Sequence, residues 1–297
     1  MWDLGRLQAV HAVAVHGSIS RAAAALGYTP SAVSQQIAKL ERETRVELLE
    51  RSPGRVALTP AALVLADAAR EVMAVLERAE TRLEQQRDRP AGRLVVAGFP
   101  TAVRGLLPAV LADLAAHPDL DCRLLEADPH RVMEAVESGQ ADVGVIHDWH
   151  NTPLKPPASL IVEQIGRDVG DLLLPEGHPL AHRDRLSPAE LLSERWISQH
   201  EGTMCRDWLV RTFDELGAAP DIRFEVDEYQ SQLELLAAGM GVAVVPRLGR
   251  GALPPGVRCV DVDPEPWRAV FAVWRSSADR RPAILAAVEA MRGRWPA

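Results

Sequence analysis

The first sixty residues alternate short apolar helical runs with turn signals. Leu4, Leu7, Val10 and Ala14 recur at helical spacing, and Gly17-Ser18 closes that run and offers a cap to the next. The alanine-rich segment Arg21 to Leu26 ends at Gly27, a residue type that tolerates the left-handed conformation past a helix end. Thr29 then caps a third helix with Pro30 at its first position, where a missing N–H costs nothing. Two helices joined by so tight a turn predict a helix-turn-helix unit. On the third helix, at about 100° per residue, Val33, Ile37 and Leu40 fall in one narrow arc and must face a core. Ser31, Gln35, Ala38 and Arg42 point the other way, flanked by Ser34 and Lys39.

LLERSPGRVALTP, residues 48–60, reads as a short hairpin whose tip is flanked by Arg51 and Arg55. From Ala62 the apolar positions run Leu65, Ala69, Val72, Leu76, Ala79 and Leu83, alternating steps of three and four. That is the seam of a coiled coil, so this long helix is expected to pair with a partner helix rather than to cover a core. RDRPAGR, 87–93, marks a hinge through Pro90 and Gly92. Beyond it strands alternate with helices: LVVAGF, CRLLEA and VGVIH in one series, then RWIS, IRFEV and GVAVVP in a second begun near Leu160. AVFAVW (269–274) and a helix from Pro282 to Arg294 close the chain. Two α/β lobes with a ligand-binding cleft between them are implied.

Composition narrows this picture. The 297 residues are 47% hydrophobic and 25% charged, which is globular, and no apolar run approaches the ~20 residues a bilayer span needs. The N-terminal MWDLGRL lacks a basic and apolar leader, so a cytoplasmic protein is expected. The net charge of −8 speaks against nucleic acid for the chain as one body. Residues 1–60, however, hold seven Arg or Lys against five Asp or Glu, so a slightly basic N-terminal piece sits on an acidic body. Cys122, Cys205 and Cys259 lie far apart and read as three reduced thiols.

The candidate chemistry begins on the third helix. A solvated helix face is usually built from Glu, Lys and Arg, whereas this one shows small hydroxyls and amides. Such a face suits the major groove, about 12 Å wide, where short side chains let the backbone approach and amides read base edges. Arg51 and Arg55 at the hairpin would meet phosphates, which adds affinity without sequence information.

With these residues in view the chain resembles the LysR-type transcriptional regulators over essentially its full length. SRAAAALGYTPSAVSQQIAKLE, LLER and LTPA carry the resemblance in that order and spacing, and HPLA (178–181), WIS (196–198) and LLAAGMGVAVVP (235–246) extend it. It implies an all-α winged helix-turn-helix domain with a long linker helix, then a two-lobed α/β effector domain like a periplasmic binding protein. The expected boundaries are 1–60 for DNA binding, 61–90 for the dimerising linker and 91–297 for the effector domain. Lobe I is expected at about 91–160 and 268–297, lobe II at about 161–267. The resemblance puts Pro30, Ser31, Ser34 and Gln35 at DNA bases, and Arg51, Arg55 and Thr59 near phosphates; Lys39, further along the third helix, is expected to meet phosphate or nothing. Two departures stand out: Thr44-Arg45 replaces the usual Leu-Gly, which predicts backbone strain or an added phosphate contact, and Ala62 replaces the glycine after LTPA, so the linker helix is expected to begin earlier.

By the same resemblance the effector site is lined by Pro100, Thr101 and Ala102, by His147 and Asp148, by Ser198 and the loop to Thr203, and by Asp227 and Glu228. Helix starts at Thr101 and Thr203 favour a carboxylate, and the surrounding acids favour a cation, so a small zwitterion such as an amino acid, or a small organic acid, is the expected effector. The expected partners are double-stranded DNA with an inverted-repeat promoter site, the effector, further copies of the chain as homodimer or homotetramer, and RNA polymerase. No cofactor, metal or membrane is expected.

An enzyme is the rival reading, yet no GxSxG elbow, phosphate-cradling glycine loop or HExxH helix is present. HDWH (147–150) could bind a metal through His147 and His150 with Cys205 or Asp148, but no second His or Cys pair supports it, and a polar loop at the cleft mouth is the reading taken. A solute-binding protein would share the two lobes and leave residues 1–90 unexplained.

Overall fold

The computed structural model describes residues 2–52, 55–86 and 89–295. Three helices open the chain: α1 (Leu4–His16), α2 (Ile19–Leu26) and α3 (Pro30–Thr44). Their boundaries are chemical. The side chains of Asp3, Ser18 and Thr29 accept the backbone N–H three residues on, while Gly17 and Gly27 stand in the left-handed region at φ 67° and 69°. Val33, Ile37 and Leu40 are fully buried against Leu7, Val10, Ala22 and Ala23, as their spacing predicts. A hairpin of β1 (Leu49–Ser52) and β2 (Arg55–Leu58) follows. It is pinned to α3 by Glu41, whose Oε1 accepts from the N–H groups of Leu48 (2.9 Å) and Leu49 (3.2 Å). Arg45 takes the strained place foreseen for it: it ends α3 at φ 58°, the sole positive-φ residue other than glycine among the described residues.

The linker helix α4 spans Pro60–Gln85, capped by Thr59. Its apolar stripe divides. Ala62, Leu65, Ala66 and Ala69 are buried in the N-terminal core against α1, so the first half covers a core, contrary to the expectation of a seam running its whole length. The second half keeps Val72, Val75, Leu76 and Leu83 exposed, joined by Leu63 and Val64. The reason is geometric: at 3.6 residues per turn the side packed on α1 rotates away, and the opposite side stays bare.

The C-terminal half of α4 is tied to the effector domain by ion pairs. Arg275 Nε lies 2.8 Å from Glu77 Oε1, and Arg281 Nε lies 2.8 Å from Glu84 Oε2 while its Nη1 reaches Asp142 Oδ1 at 2.6 Å. Gln85 donates to the carbonyl of Arg280 at 2.9 Å. On α1, His11 and His16 are buried, and burial holds both imidazoles below the ordinary histidine value.

The first lobe contains β3 (Gly92–Gly98), α5 (Pro100–Gly105), α6 (Leu107–Leu114), β4 (Leu120–Glu126), α7 (Pro129–Glu137) and β5 (Val143–Trp149). Next come β6 (Leu160–Pro175), β7 (Arg185–Leu186), β8 (Arg195–Ser198), α8 (Met204–Asp214), β9 (Asp221–Glu225) and α9 (Tyr229–Ala237). β10 (Ala243–Pro246), β11 (Val257–Val262), β12 (Trp267–Arg275) and α10 (Pro282–Gly293) complete the chain. One sheet runs β4-β3-β5-β12-β6-β11-β7 with β10 also on β6, and β8 pairs with β9 beside it. The β4-β3-β5 part is parallel, and its inner strands β3 and β5 are apolar on both faces, as crossover helices require, while β4 exposes Asp121 and Arg123 at the edge.

Both lobes share β6. Its residues 160–169 pair with β12, and 170–175 pair with β10 and β11, so the first-lobe sheet extends well past the expected boundary at 160. Nothing in LIVEQIGRDVGDLLLP breaks a strand, which is why the chain passes between lobes without a turn. Gly170 sits where they meet; a Cβ there would fall 2.7 Å from Val244 and 2.8 Å from Trp149.

Candidate DNA-binding face and interlobe site

The face of α3 opposite its core arc is free. Pro30, Ser31, Gln35 and Lys39 are exposed and Ser34 is half-buried. Arg42 bends back, its Nε donating to the Ala38 carbonyl at 3.3 Å. Thr59 departs from the expectation of a phosphate contact: its hydroxyl donates to the Glu47 carbonyl (2.8 Å) and accepts from Ala62 N (3.2 Å). A phosphate oxygen needs that same hydrogen, so Thr59 is a helix cap that orients α4. The side chains of Arg51 and Arg55, and the hairpin tip between them, lie outside the described residues.

The interlobe site gathers residues that are remote in sequence. Thr101, in the first turn of α5, is buried, and its Oγ1 accepts from Arg268 Nη2 at 2.6 Å. Arg268 is itself 1% exposed; its Nε lies 2.9 Å from Asp168 Oδ2, and Asp168 Oδ1 accepts from Leu248 N at 2.9 Å. The guanidinium also sits 4.9 Å over the Phe99 ring. His147 packs edge-on against Phe99 with centroids 4.6 Å apart, and burial, then the neighbouring Arg268 charge, hold it well below the ordinary histidine value. In β12 Arg268 pairs with Trp149 of β5, so Arg268, Trp149 and His147 share one sheet face. Asp148 pairs with Ala269 and points to the other face, where burial raises its carboxyl. It therefore does not line the site with His147.

Across the cleft, Ser198 ends β8 and Thr203 precedes α8, its Oγ1 donating to the His200 carbonyl at 2.8 Å. A space of about 10 Å³ remains among Trp149, Ser198, Cys205, Tyr229 and Gln232. Cys205 Sγ is 3.0 Å from the Tyr229 hydroxyl, and burial pushes that thiol up. Asp227 and Glu228 are exposed and already engaged. Asp227 accepts from His200 N (3.1 Å), and Glu228 caps α9 through Gln230 N (2.9 Å) and pairs with Arg104 (3.3 Å). Pro100 and Ala102 contribute backbone and packing beside Thr101. Among the described residues no three His, Cys, Asp or Glu side chains converge as a metal site, and His150 stacks on Trp267 at 6.0 Å instead.

Sequence reading missed Arg268, Asp168, Phe99, Trp149, Tyr229 and Gln232. One signal was available: charged Arg268 and Asp168 stand in segments that otherwise read as buried strands.

Comparison with known proteins accords with this architecture. Residues 4–63 match the model of the bacterial regulatory helix-turn-helix protein, lysR family, and residues 87–296 match the LysR substrate binding domain. The chain belongs to the LysR family of bacterial transcriptional regulators. It is 30% identical over 295 residues to the DNA-binding transcriptional dual regulator OxyR of Escherichia coli K12, covering 97% of this chain and 94% of that one. It is 29% identical to the regulator CysL of Bacillus subtilis over 80% of this chain and 78% of the relative. The fold is shared with a full-length OxyR variant from Pseudomonas aeruginosa (TM-score 0.67, 24% identity, 98% and 95% covered). It is shared also with CbnR in complex with its target DNA (TM-score 0.55, 22% identity, 99% and 100% covered). The protein is thus a DNA-binding transcriptional regulator with an effector-binding domain, of a family of regulators rather than enzymes. No helix among the described residues is long and apolar enough to cross a membrane.

Proposed function

We propose that α3 enters the major groove with Ser31, Ser34 and Gln35 at base edges and Pro30 at the groove wall, while Lys39, Arg51 and Arg55 meet phosphates. The observation that carries this reading is the exposed small polar face of α3 on a fully buried Val33-Ile37-Leu40 seam. The bare second half of α4 is the surface on which two copies join, and a two-fold dimer suits an inverted repeat. A homotetramer and contact with RNA polymerase extend the same scheme.

The effector enters between the lobes and is a small organic acid rather than an amino acid. Thr101 Oγ1 accepts from Arg268 and keeps its own hydrogen for a carboxylate, with the Arg268 charge behind it, whereas Asp227 and Glu228, which an ammonium would need, are already paired. Lobe movement then reaches the DNA through the Glu77–Arg275 and Glu84–Arg281 pairs. Several relatives are named hydrogen peroxide-inducible genes activators. A peroxide response of this chain through its own thiols would need an accessible thiolate. Here burial raises Cys122 and Cys205, and burial with Asp171 pushes Cys259 up to about 11. Ligand binding is the reading taken, with the exposed Cys259 as the thiol that a peroxide response would use first. Footprinting of genomic DNA with and without simple organic acids, amino acids and peroxide tests both parts: a footprint moved only by peroxide would replace this reading.

A further inference from the structure

The second lobe holds a cavity of about 180 Å³ that the interlobe site does not use. Trp196 and Trp208 line both this cavity and the 10 Å³ space beside Ser198, so they form the partition between them. The rest of the wall is mainly apolar, Leu191, Leu209, Phe213 and Val244 among it, and the exposed His150 and Glu215 also line it.

Three features of this cavity specify an occupant. Its volume is one: an apolar cavity of roughly 150 Å³ stays dry and accepts a single benzene ring. Its walls are another. Trp208 stacks on Trp149 at 4.7 Å and meets His150 edge-on at 6.5 Å, and Trp196 meets Phe213 edge-on at 5.6 Å. A flat ring fits such walls by stacking and edge contacts. The third is polar. Trp196 and Trp208 are 2% and 5% exposed, and neither Nε1–H has an acceptor among the described residues. Both indoles border this cavity, and buried donors without partners are costly, so an acceptor brought to that wall is favoured. The Thr212 hydroxyl donates to the Trp208 carbonyl (2.8 Å), accepts from Asn151 (3.0 Å) and receives neither indole N–H. No Lys or Arg is among the lining residues, and Glu215 adds negative charge to them.

We propose that this cavity is a second ligand site, separate from the interlobe site, for a neutral single-ring aromatic molecule bearing one carbonyl or hydroxyl oxygen. An anionic ring is disfavoured by Glu215 and by the lack of a cation. This is the opposite preference to the organic acid proposed for the cleft, so the two sites are distinguishable by charge.

Calorimetric titration of the full-length protein with acetophenone, and with benzoate as the anion of the same size, tests it. Saturable acetophenone binding is expected, with benzoate weaker by roughly tenfold or more at this site. Leu216→Trp fills the cavity from a half-exposed position and should abolish acetophenone binding; an unchanged unfolding midpoint verifies that it folds. Glu215→Lys, also at an exposed position, should bring benzoate into the pocket. Thr101→Ala, in the cleft, should leave acetophenone binding unchanged. Absence of saturable binding at millimolar acetophenone, or binding lost in Thr101→Ala and kept in Leu216→Trp, would overturn the assignment.

Discussion

On α3 the polar side chains of Ser31, Gln35 and Lys39 stand exposed, whereas at the interlobe site nearly every polar group is already paired: Arg268 with Asp168 and Thr101, His200 with Asp227, Glu228 with Arg104. The contrast bears on how each surface works. A face without internal partners can meet DNA without breaking protein bonds, so its affinity follows groove fit and counterion release. A site whose groups are paired must exchange one set of bonds for another. Only the difference is available to shift the protein between states, which suits a conditional sensor better than a permanent binder.

The sharpest way to break this contrast is to unpair the cleft. Asp168→Ala leaves the buried Arg268 guanidinium uncompensated and should lower stability by about 3–5 kcal/mol in urea unfolding. Asp168→Asn with Arg268→Met should recover most of it. A loss below about 1 kcal/mol would mean that solvent or another group neutralises Arg268 and that the pair is not the structural centre described here.

On the DNA side, Gln35→Ala should weaken binding to the preferred sequence by about 1–3 kcal/mol at fixed salt while non-specific binding and the unfolding midpoint stay unchanged. Equal losses on all sequences would move Gln35 from base reading to phosphate contact.

Acid should expose the buried histidines. Burial lowers His11, His16 and His147 in the folded state, so below pH ~6.5 the unfolded chain binds more protons than the native one. Stability is then full above that pH and falls as pH drops, by up to about 1.4 kcal/mol per unit for each histidine still neutral in the fold. Denaturant titrations between pH 7 and 5 should show this slope, and His147→Phe should remove its share.

The smallest effect concerns the end of α3. Arg45→Gly relieves a left-handed residue and should raise stability by about 1 kcal/mol. Weaker DNA binding in the same variant would show that Arg45 earns its strain as a phosphate contact.

How much could be read in advance follows the same division. The caps at Ser18 and Thr29, the turns at Gly17 and Gly27, and the core arc Val33-Ile37-Leu40 are set by residues within a few positions of each other. Periodicity and capping chemistry therefore found them. The stripe on α4 was read as a single seam because the pattern is continuous; only packing on α1 shows that its first half is core. The family resemblance placed Asp148 in the site with His147, yet strand alternation sends adjacent residues to opposite faces.

The sequence by itself determined the helix-turn-helix unit, the split between core and exposed faces of α3 and the family, because each is written in local spacing and short motifs. Tertiary structure decided where β6 passes between lobes, which half of α4 is left bare, and which groups meet in the cleft. Arg268 reaches Asp168 across 100 residues and Thr101 across 167, and Arg275 reaches Glu77 across 198. Partners so distant in the chain share no period or motif. They meet only because the sheet order lays β12 against β5 and β6, and burial then makes the pairing of each charge obligatory.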